Sequence, residues 1–228
     1  MQIEAFHDPT TSTLSYVAWD RDARAGVLID PVCDYAPASA RLSTRSAEAI
    51  ARFLDAERIE LHYVLDTHVH ADHVTAMPFF RSRFGARTVI GGEIARVQRR
   101  FAEFLQLGDD FPTDGRQFDQ LVGDGERLEA GPLTLECLHT PGHTPACMTY
   151  RIGDALFVGD TLFQPDYGTA RCDFPGGSAG SLFDSIARLY DLPETLRVFT
   201  GHDYRPGGRP VGYTQPAGCS SRRVCRTA

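Results

Sequence analysis

Short apolar-rich runs at Thr13 to Trp19 and Gly26 to Asp30 read as two β-strands, after which Pro31 and Pro37 mark a loop. The period then changes. Apolar residues recur at Ala47, Ile50, Ala51 and Leu54, the spacing of a helix with one buried stripe, and Ser43 or Thr44 is placed to cap its start. Tyr63-Val64-Leu65 predicts the next strand. A helix near Ala76 to Phe84, a strand at Thr88 to Ile90 and a helix with Ile94, Val97, Phe101 and Leu105 on one face follow. From Gly108 to Gly125 the chain is rich in Gly and Asp, which predicts a long loop that either borders a site or is a plain solvated connection.

Further strands are predicted at Leu133 to Leu138, Ala146 to Arg151 and Ala155 to Val158, and a helix from Ser181 to Tyr190 with Ser181 and Asp184 at its capped end. Strands thus occur in both halves, each closed by helices, a pattern that suggests two sheets packed face to face with helices outside. Past Tyr204 no apolar periodicity survives. Arg205, Arg209, Arg222, Arg223 and Arg226 stand there with Gly, Pro, Ser and two cysteines but no acidic residue. A domain over residues 1–204 and a poorly ordered tail over 205–228 are therefore expected. An abrupt change of this kind is what a shifted reading frame would produce, and a truncated, inactive remnant is one reading of the chain.

Composition narrows the function. At 228 residues, 42% hydrophobic and 23% charged, the chain suffices for one domain with a sizeable core. A net charge of -7 argues against a nucleic-acid surface. No stretch approaches the roughly 20 apolar residues of a membrane span, and the first residues lack signal-peptide character, so a cytoplasmic protein with no membrane partner is expected. The six cysteines form no Cys-x-x-Cys pair, which favours free thiols. All 23 basic residues are arginine, so no lysine is present to act as Schiff base, general base or phosphate clamp.

The chemistry is concentrated in His68-Val69-His70-Ala71-Asp72-His73, directly after a predicted strand. Imidazoles and carboxylates suit zinc, iron or manganese, and a His-x-His segment of period 2 points both rings to one side while Asp72 and His73 face elsewhere. Two neighbouring metal positions could be fed this way if distant ligands arrive. His143 in Thr140-Pro141-Gly142-His143, Asp160 in Phe157-Val158-Gly159-Asp160 and His202 in Val198-Phe199-Thr200-Gly201-His202 repeat the design: a short apolar run, a glycine and a ligand. His7, His62 and His139 have no such setting and read as structural.

With His-x-His-x-Asp-His, a later His, Asp and His, and these strand-end contexts, residues 1 to 204 resemble the metallo-β-lactamase superfamily. The resemblance implies an α/β (α+β) chain folded as a four-layer αββα sandwich with metals at one edge between the sheets. Gly168-Thr169-Ala170-Arg171-Cys172-Asp173-Phe174 and Gly201-His202-Asp203-Tyr204 resemble the glyoxalase II-like persulfide dioxygenases within it. That likeness implies an enzyme that oxidises glutathione persulfide, or a similar small persulfide, with O₂ to sulfite and thiol in sulfide detoxification. One Fe(2+) per chain would sit on His68, His143 and Asp160, the catalytic set. His70, Asp72, His73 and His202 become supporting groups or an unused second site. Arg171 is a candidate clamp for a glutathione carboxylate, Asp173 could hold that arginine or the substrate's amine, and Tyr204 could close the pocket. Homodimers are common among such enzymes. The rival reading is a glyoxalase II-type hydrolase of glutathione thioesters with two metals such as Zn(2+).

Overall fold

The computed structural model describes residues 1–69 and 72–216. Along the first half run β1 (Gln2–Asp8), β2 (Thr13–Trp19), β3 (Ala25–Ile29), β4 (Val32–Ala36), β5 (Arg41–Ser43), α1 (Arg45–Glu57), β6 (Glu60–Leu65), β7 (Val74–Thr75), α2 (Met77–Phe84), β8 (Arg87–Gly91), α3 (Ile94–Leu105) and β9 (Gln120–Val122). The second half supplies β10 (Arg127–Ala130), β11 (Leu133–His139), β12 (Met148–Ile152), β13 (Ala155–Gly159), α4 (Ala179–Tyr190), β14 (Arg197–Thr200) and β15 (Gln215–Pro216).

These strands form a six-stranded sheet in the order β1-β2-β3-β6-β8-β9, a second in the order β10-β11-β12-β13-β14-β15, and a small sheet β5-β4-β7. Short turns join the antiparallel pairs β1-β2, β2-β3, β10-β11 and β12-β13. Parallel pairs need a crossover, and each has a helix: α1 between β3 and β6, α2 between β6 and β8, α3 between β8 and β9, α4 between β13 and β14.

Strand periodicity explains the layers. On β2, Leu14, Tyr16 and Ala18 point into the core between the sheets, while Val17 and Trp19 point outward against α1 residues Ile50, Ala51 and Leu54. On β13, Ala155 and Phe157 point inward, while Leu156 and Val158 meet Leu182, Ile186 and Leu189 of α4. Both faces of these strands are covered, so every residue of β2 and β13 is buried. Helix, sheet, sheet and helix therefore stack as the expected four-layer αββα sandwich. At its centre Tyr16, Phe157 and Phe199 pack with ring centroids 5.0 to 5.4 Å apart. Truncating one such ring costs about 3–5 kcal/mol.

Several expectations are revised. The start of α1 is not capped by Ser43 or Thr44. Asp34 reaches over from β4, its carboxylate accepting Ser46 N at 2.9 Å and Ser46 Oγ at 2.8 Å, and Thr44 bonds Glu48 instead. Ser178 caps α4, one turn before Ser181, whose amide it accepts at 3.2 Å. On α3 the predicted stripe is buried only at Ile94 and Val97; Leu105 is 56% exposed. Residues 146–147 precede β12 instead of opening it.

The tail placed at 205–228 is corrected over residues 205–216, which pack onto the domain; 217–228 lie outside the described residues. Arg209 pairs with Asp166 at 2.5 and 2.8 Å and with Asp203 at 2.7 Å twice. Asp203 also accepts Gly212 N at 2.7 Å, and buried Gln215 donates to Phe163 O at 2.9 Å. The segment has no acids of its own, and its partners come from distant loops, which a local reading of composition misses.

Candidate metal centre

Each candidate ligand sits just beyond a strand end on one edge of the sandwich: His68 after β6, His143 after β11, Asp160 after β13 and His202 after β14. Two buried tyrosines tie these ends together across the core. Tyr16 of the first sheet donates to Thr200 O at 2.7 Å, and Tyr150 of the second donates to Asp66 O at 3.0 Å. Backbone bonds from Leu14 N to Gly201 O (2.8 Å) and Asp203 N to Ser12 O (3.0 Å) add to the join.

Two glycines explain how the ends close up. Gly159 has φ +52, and a Cβ there would stand 2.3 Å from Thr67 Oγ1. Gly201 needs no special dihedral, contrary to the sharp turn expected before His202. A Cβ on it would lie 2.5 Å from Asp160 Oδ1, so closeness alone requires glycine.

The result is two groups of ligand atoms, each within 4.8 Å of one another: His68, His143 and Asp160, all buried, and Asp72, His73 and His202. Asp160 faces both. Its Oδ2 lies 3.7 Å from His68 Nε2 and 3.8 Å from His143 Nε2, and its Oδ1 lies 3.5 Å from His202 Nε2. Asp72 reaches His202 Nε2 with Oδ2 and His73 Nδ1 with Oδ1, both at 3.5 Å. His70 lies outside the described residues.

Oxygens behind the rings fix how they face. His143 Nδ1 contacts Arg171 O at 2.8 Å and His202 Nδ1 contacts Thr11 O at 3.2 Å. A carbonyl only accepts, so both Nδ1 atoms carry the proton and both Nε2 atoms offer lone pairs inward. His68 Nδ1 lies 3.0 Å from Thr67 Oγ1, whose own proton goes to Asp30 Oδ2 at 2.8 Å, so it too donates. Asp30 further accepts Thr67 N at 2.6 Å; burial raises its pKa to about 6 against the pull of those Thr67 bonds. Burial likewise raises Asp160, against the lowering effect of the neighbouring His202 and His143.

These residues fit metal ions. Asp160 Oδ1 and His202 Nε2 are buried, face each other and have no hydrogen-bond partner among the described residues, a costly arrangement that a cation between them would relieve. Nitrogen and carboxylate donors suit zinc, iron or manganese alike.

A cavity of about 720 Å³ opens over the ligands, lined by Asp72, His143, Asp160, Arg171 and an aromatic wall. Tyr204 stacks on His202 at 5.2 Å with rings 6° from parallel, and meets Tyr167 at 4.6 Å with the rings tilted by 31°. Arg171 forks onto Asp173 at 2.5 and 2.6 Å and lies 5.0 Å from the ring centroid of Phe174, which meets His143 edge-on. Cys172 stays a neutral thiol, its pKa raised by burial and by Asp173. The four described cysteines Cys33, Cys137, Cys147 and Cys172 are free. Sequence reasoning missed Asp30, Thr67 and Phe174. Asp30 carried a signal as an acid closing an apolar run before Pro31, and Phe174 as the last residue of the Gly168 to Phe174 stretch, to which no role was assigned.

The profile of the metallo-beta-lactamase superfamily matches residues 8–202, so the chain belongs to that superfamily. A probable metallo-hydrolase of Burkholderia pseudomallei is 46% identical over 223 residues, covering 93% of this chain and 76% of that protein. A beta-lactamase hydrolase-like protein of Agrobacterium fabrum is 44% identical, and the chain spans about half its length, 51%. Human mitochondrial persulfide dioxygenase ETHE1 is 31% identical over 201 residues, 86% of this chain and 66% of that one. The crystal structure of ETHE1 from Myxococcus xanthus superposes with a TM-score of 0.78 at 30% identity, covering 100% of this chain and 85% of that one. No helix of the described residues is long and apolar enough to cross a membrane.

Proposed function

We propose that the chain is a persulfide dioxygenase, converting a small persulfide such as that of glutathione, with O₂ and water, to sulfite and the free thiol. The observation that carries this reading is the buried set His68, His143 and Asp160, two histidines and one carboxylate, the combination that leaves positions open on non-haem iron. A ferrous ion there would supply a centre where a soft sulfur and O₂ can meet, making a slow encounter effectively intramolecular. Likeness to ETHE1 proteins in sequence and structure supports it. The protein's part is to hold three Nε2 atoms and both Asp160 oxygens in place and to wall the cavity with Phe163, Tyr167 and Tyr204. Arg171 can clamp a substrate carboxylate only by leaving Asp173 or sharing it.

One observation favours a second reading. Asp160 turns one oxygen to each cluster, and two metals held so would suit a hydrolase, in keeping with the name of the Burkholderia relative. Metal content and O₂ uptake on anaerobically purified protein separate the two. About one iron per chain with uptake that depends on glutathione persulfide, lost in His68→Ala, supports the dioxygenase. Two zincs, no uptake and thioester hydrolysis would replace it with the hydrolase.

A further inference from the structure

A second cleft of about 430 Å³ adjoins the metal-site cavity. One wall is α3, which presents Val97, Phe101 and Leu105; Phe111 and Phe118 follow from the next segment, and Phe174 closes the end. His143 and Phe174 line both spaces, so the cleft meets the metal-site cavity at these two residues. The two spaces differ in chemistry. Asp72, Asp160 and Arg171 face the first, whereas no carboxylate or guanidinium lines the second among the described residues. The cleft also accounts for the revised α3 stripe: beyond Val97 it leaves the core, and Leu105 (56%) and Phe111 (40%) stand open to solvent. Apolar side chains left exposed in a row mark a binding surface more often than chance. Val97, Phe101 and Leu105 lie at successive i, i+4 positions, so the strip runs about 12 Å along the helix.

We propose that this cleft seats an unbranched aliphatic chain carried by the substrate, with the reacting sulfur end at the metal clusters. The inference rests on the reading that a small sulfur compound reacts there. An apolar strip about 12 Å long and without charge suits an extended hydrocarbon. The site would then prefer persulfides or thioesters bearing an alkyl or acyl arm over those without one.

Calorimetric titration of the full 228-residue protein, both metal-free and zinc-loaded, with hexanoate, octanoate and decanoate reads the tail contribution as a slope. Burial of each methylene should tighten binding about fourfold, with the same slope in both forms. Leu105→Arg and Phe111→Ser, at exposed positions and checked for an unchanged melting temperature, should flatten the slope. Phe104→Ser, 72% exposed and outside the cleft, should preserve it. A flat slope in the unaltered protein would overturn the proposal. So would a self-associated protein that Leu105→Arg turns monomeric with chain-length dependence intact, since the face would then be an interface between copies. If the slope holds but neither O₂ uptake nor thioester hydrolysis is found, the catalytic reading falls and the cleft stands. Turnover with a flat slope removes the cleft's role and leaves the catalytic reading in place.

Discussion

Replacing Thr67 by valine should loosen the first metal cluster without touching any of its donor atoms. The Thr67 hydroxyl donates to Asp30 Oδ2 at 2.8 Å and accepts from His68 Nδ1 at 3.0 Å, and all three residues are 1% exposed. Valine keeps the branched shape and removes both bonds. A hydrogen bond to a charged group contributes about 1.5–3 kcal/mol, and stranding the His68 Nδ1 proton costs about 1–3 kcal/mol more. Thr67 N keeps its 2.6 Å bond to Asp30 Oδ1, which holds the loop near its place. The net loss for the metal-free protein should therefore be about 2–4 kcal/mol in denaturant unfolding. Zinc affinity, read by competition with a chromophoric chelator, should fall about 10–100-fold, because His68 loses the partner that aims its Nε2. Thr67→Ser, which keeps the hydroxyl, should recover most of both. A valine variant as stable and as tightly binding as the unaltered protein would refute the relay, and equal losses for serine and valine would assign the effect to the methyl group.

Tyr16→Phe and Tyr150→Phe each leave a buried carbonyl, Thr200 O or Asp66 O, without its tyrosine donor, and each should cost about 1–3 kcal/mol in denaturant unfolding; an unchanged midpoint would deny the cross-sheet ties a role. Arg209→Ala removes two forked ion pairs and leaves buried Asp203 with backbone donors only. A loss of about 1–3 kcal/mol is expected, discounted for the partial exposure of the arginine, and a scan should show it as several degrees in Tm. Asp34→Ala should cost about 1 kcal/mol through the uncapped start of α1. Burial pushes the Asp34 carboxyl up, but the Ser46 bonds and Arg45 outweigh it and hold it below the usual carboxylate range. Its contribution is thus present above the unfolded value of about 4 and is lost as pH falls through the lower folded value. Stability curves of the two proteins should converge in acid and separate above about pH 4, and a constant gap across that range would refute this sign.

The sandwich was legible where period and length agreed. Thr13 to Trp19 is a strand with the predicted limits, and the stripe Ala47, Ile50, Ala51 and Leu54 is the buried face of α1. Elements set by long-range pairing were not. β1 is polar enough to read as coil and exists because it pairs along its whole length with β2. β9 lies inside a stretch that reads as loop, and forms by adding to the parallel edge of β8. Tertiary pairing decided both, against weak local signals.

The same division runs through the site. His143, Asp160 and His202 are each announced by an apolar run and a glycine, and His68, with Asp72 and His73 close behind it, by the apolar run of β6 alone; the bunching of these six candidate ligands at one edge follows from that context. The groups that aim the rings are main-chain carbonyls and a threonine, which carry no such announcement. Arg171 shows the limit most plainly. Its side chain is spent on Asp173, while its carbonyl, which any residue could supply, sets the tautomer of His143. Substrate choice lies further still from the readable part of the chain. It falls to walls built from α3, the segment after it and the loop around Phe174, where an amphipathic stripe signals only that something apolar must cover it. Chemistry held on strand ends is therefore visible in this sequence, whereas specificity held between loops becomes visible only when the cleft they enclose is seen.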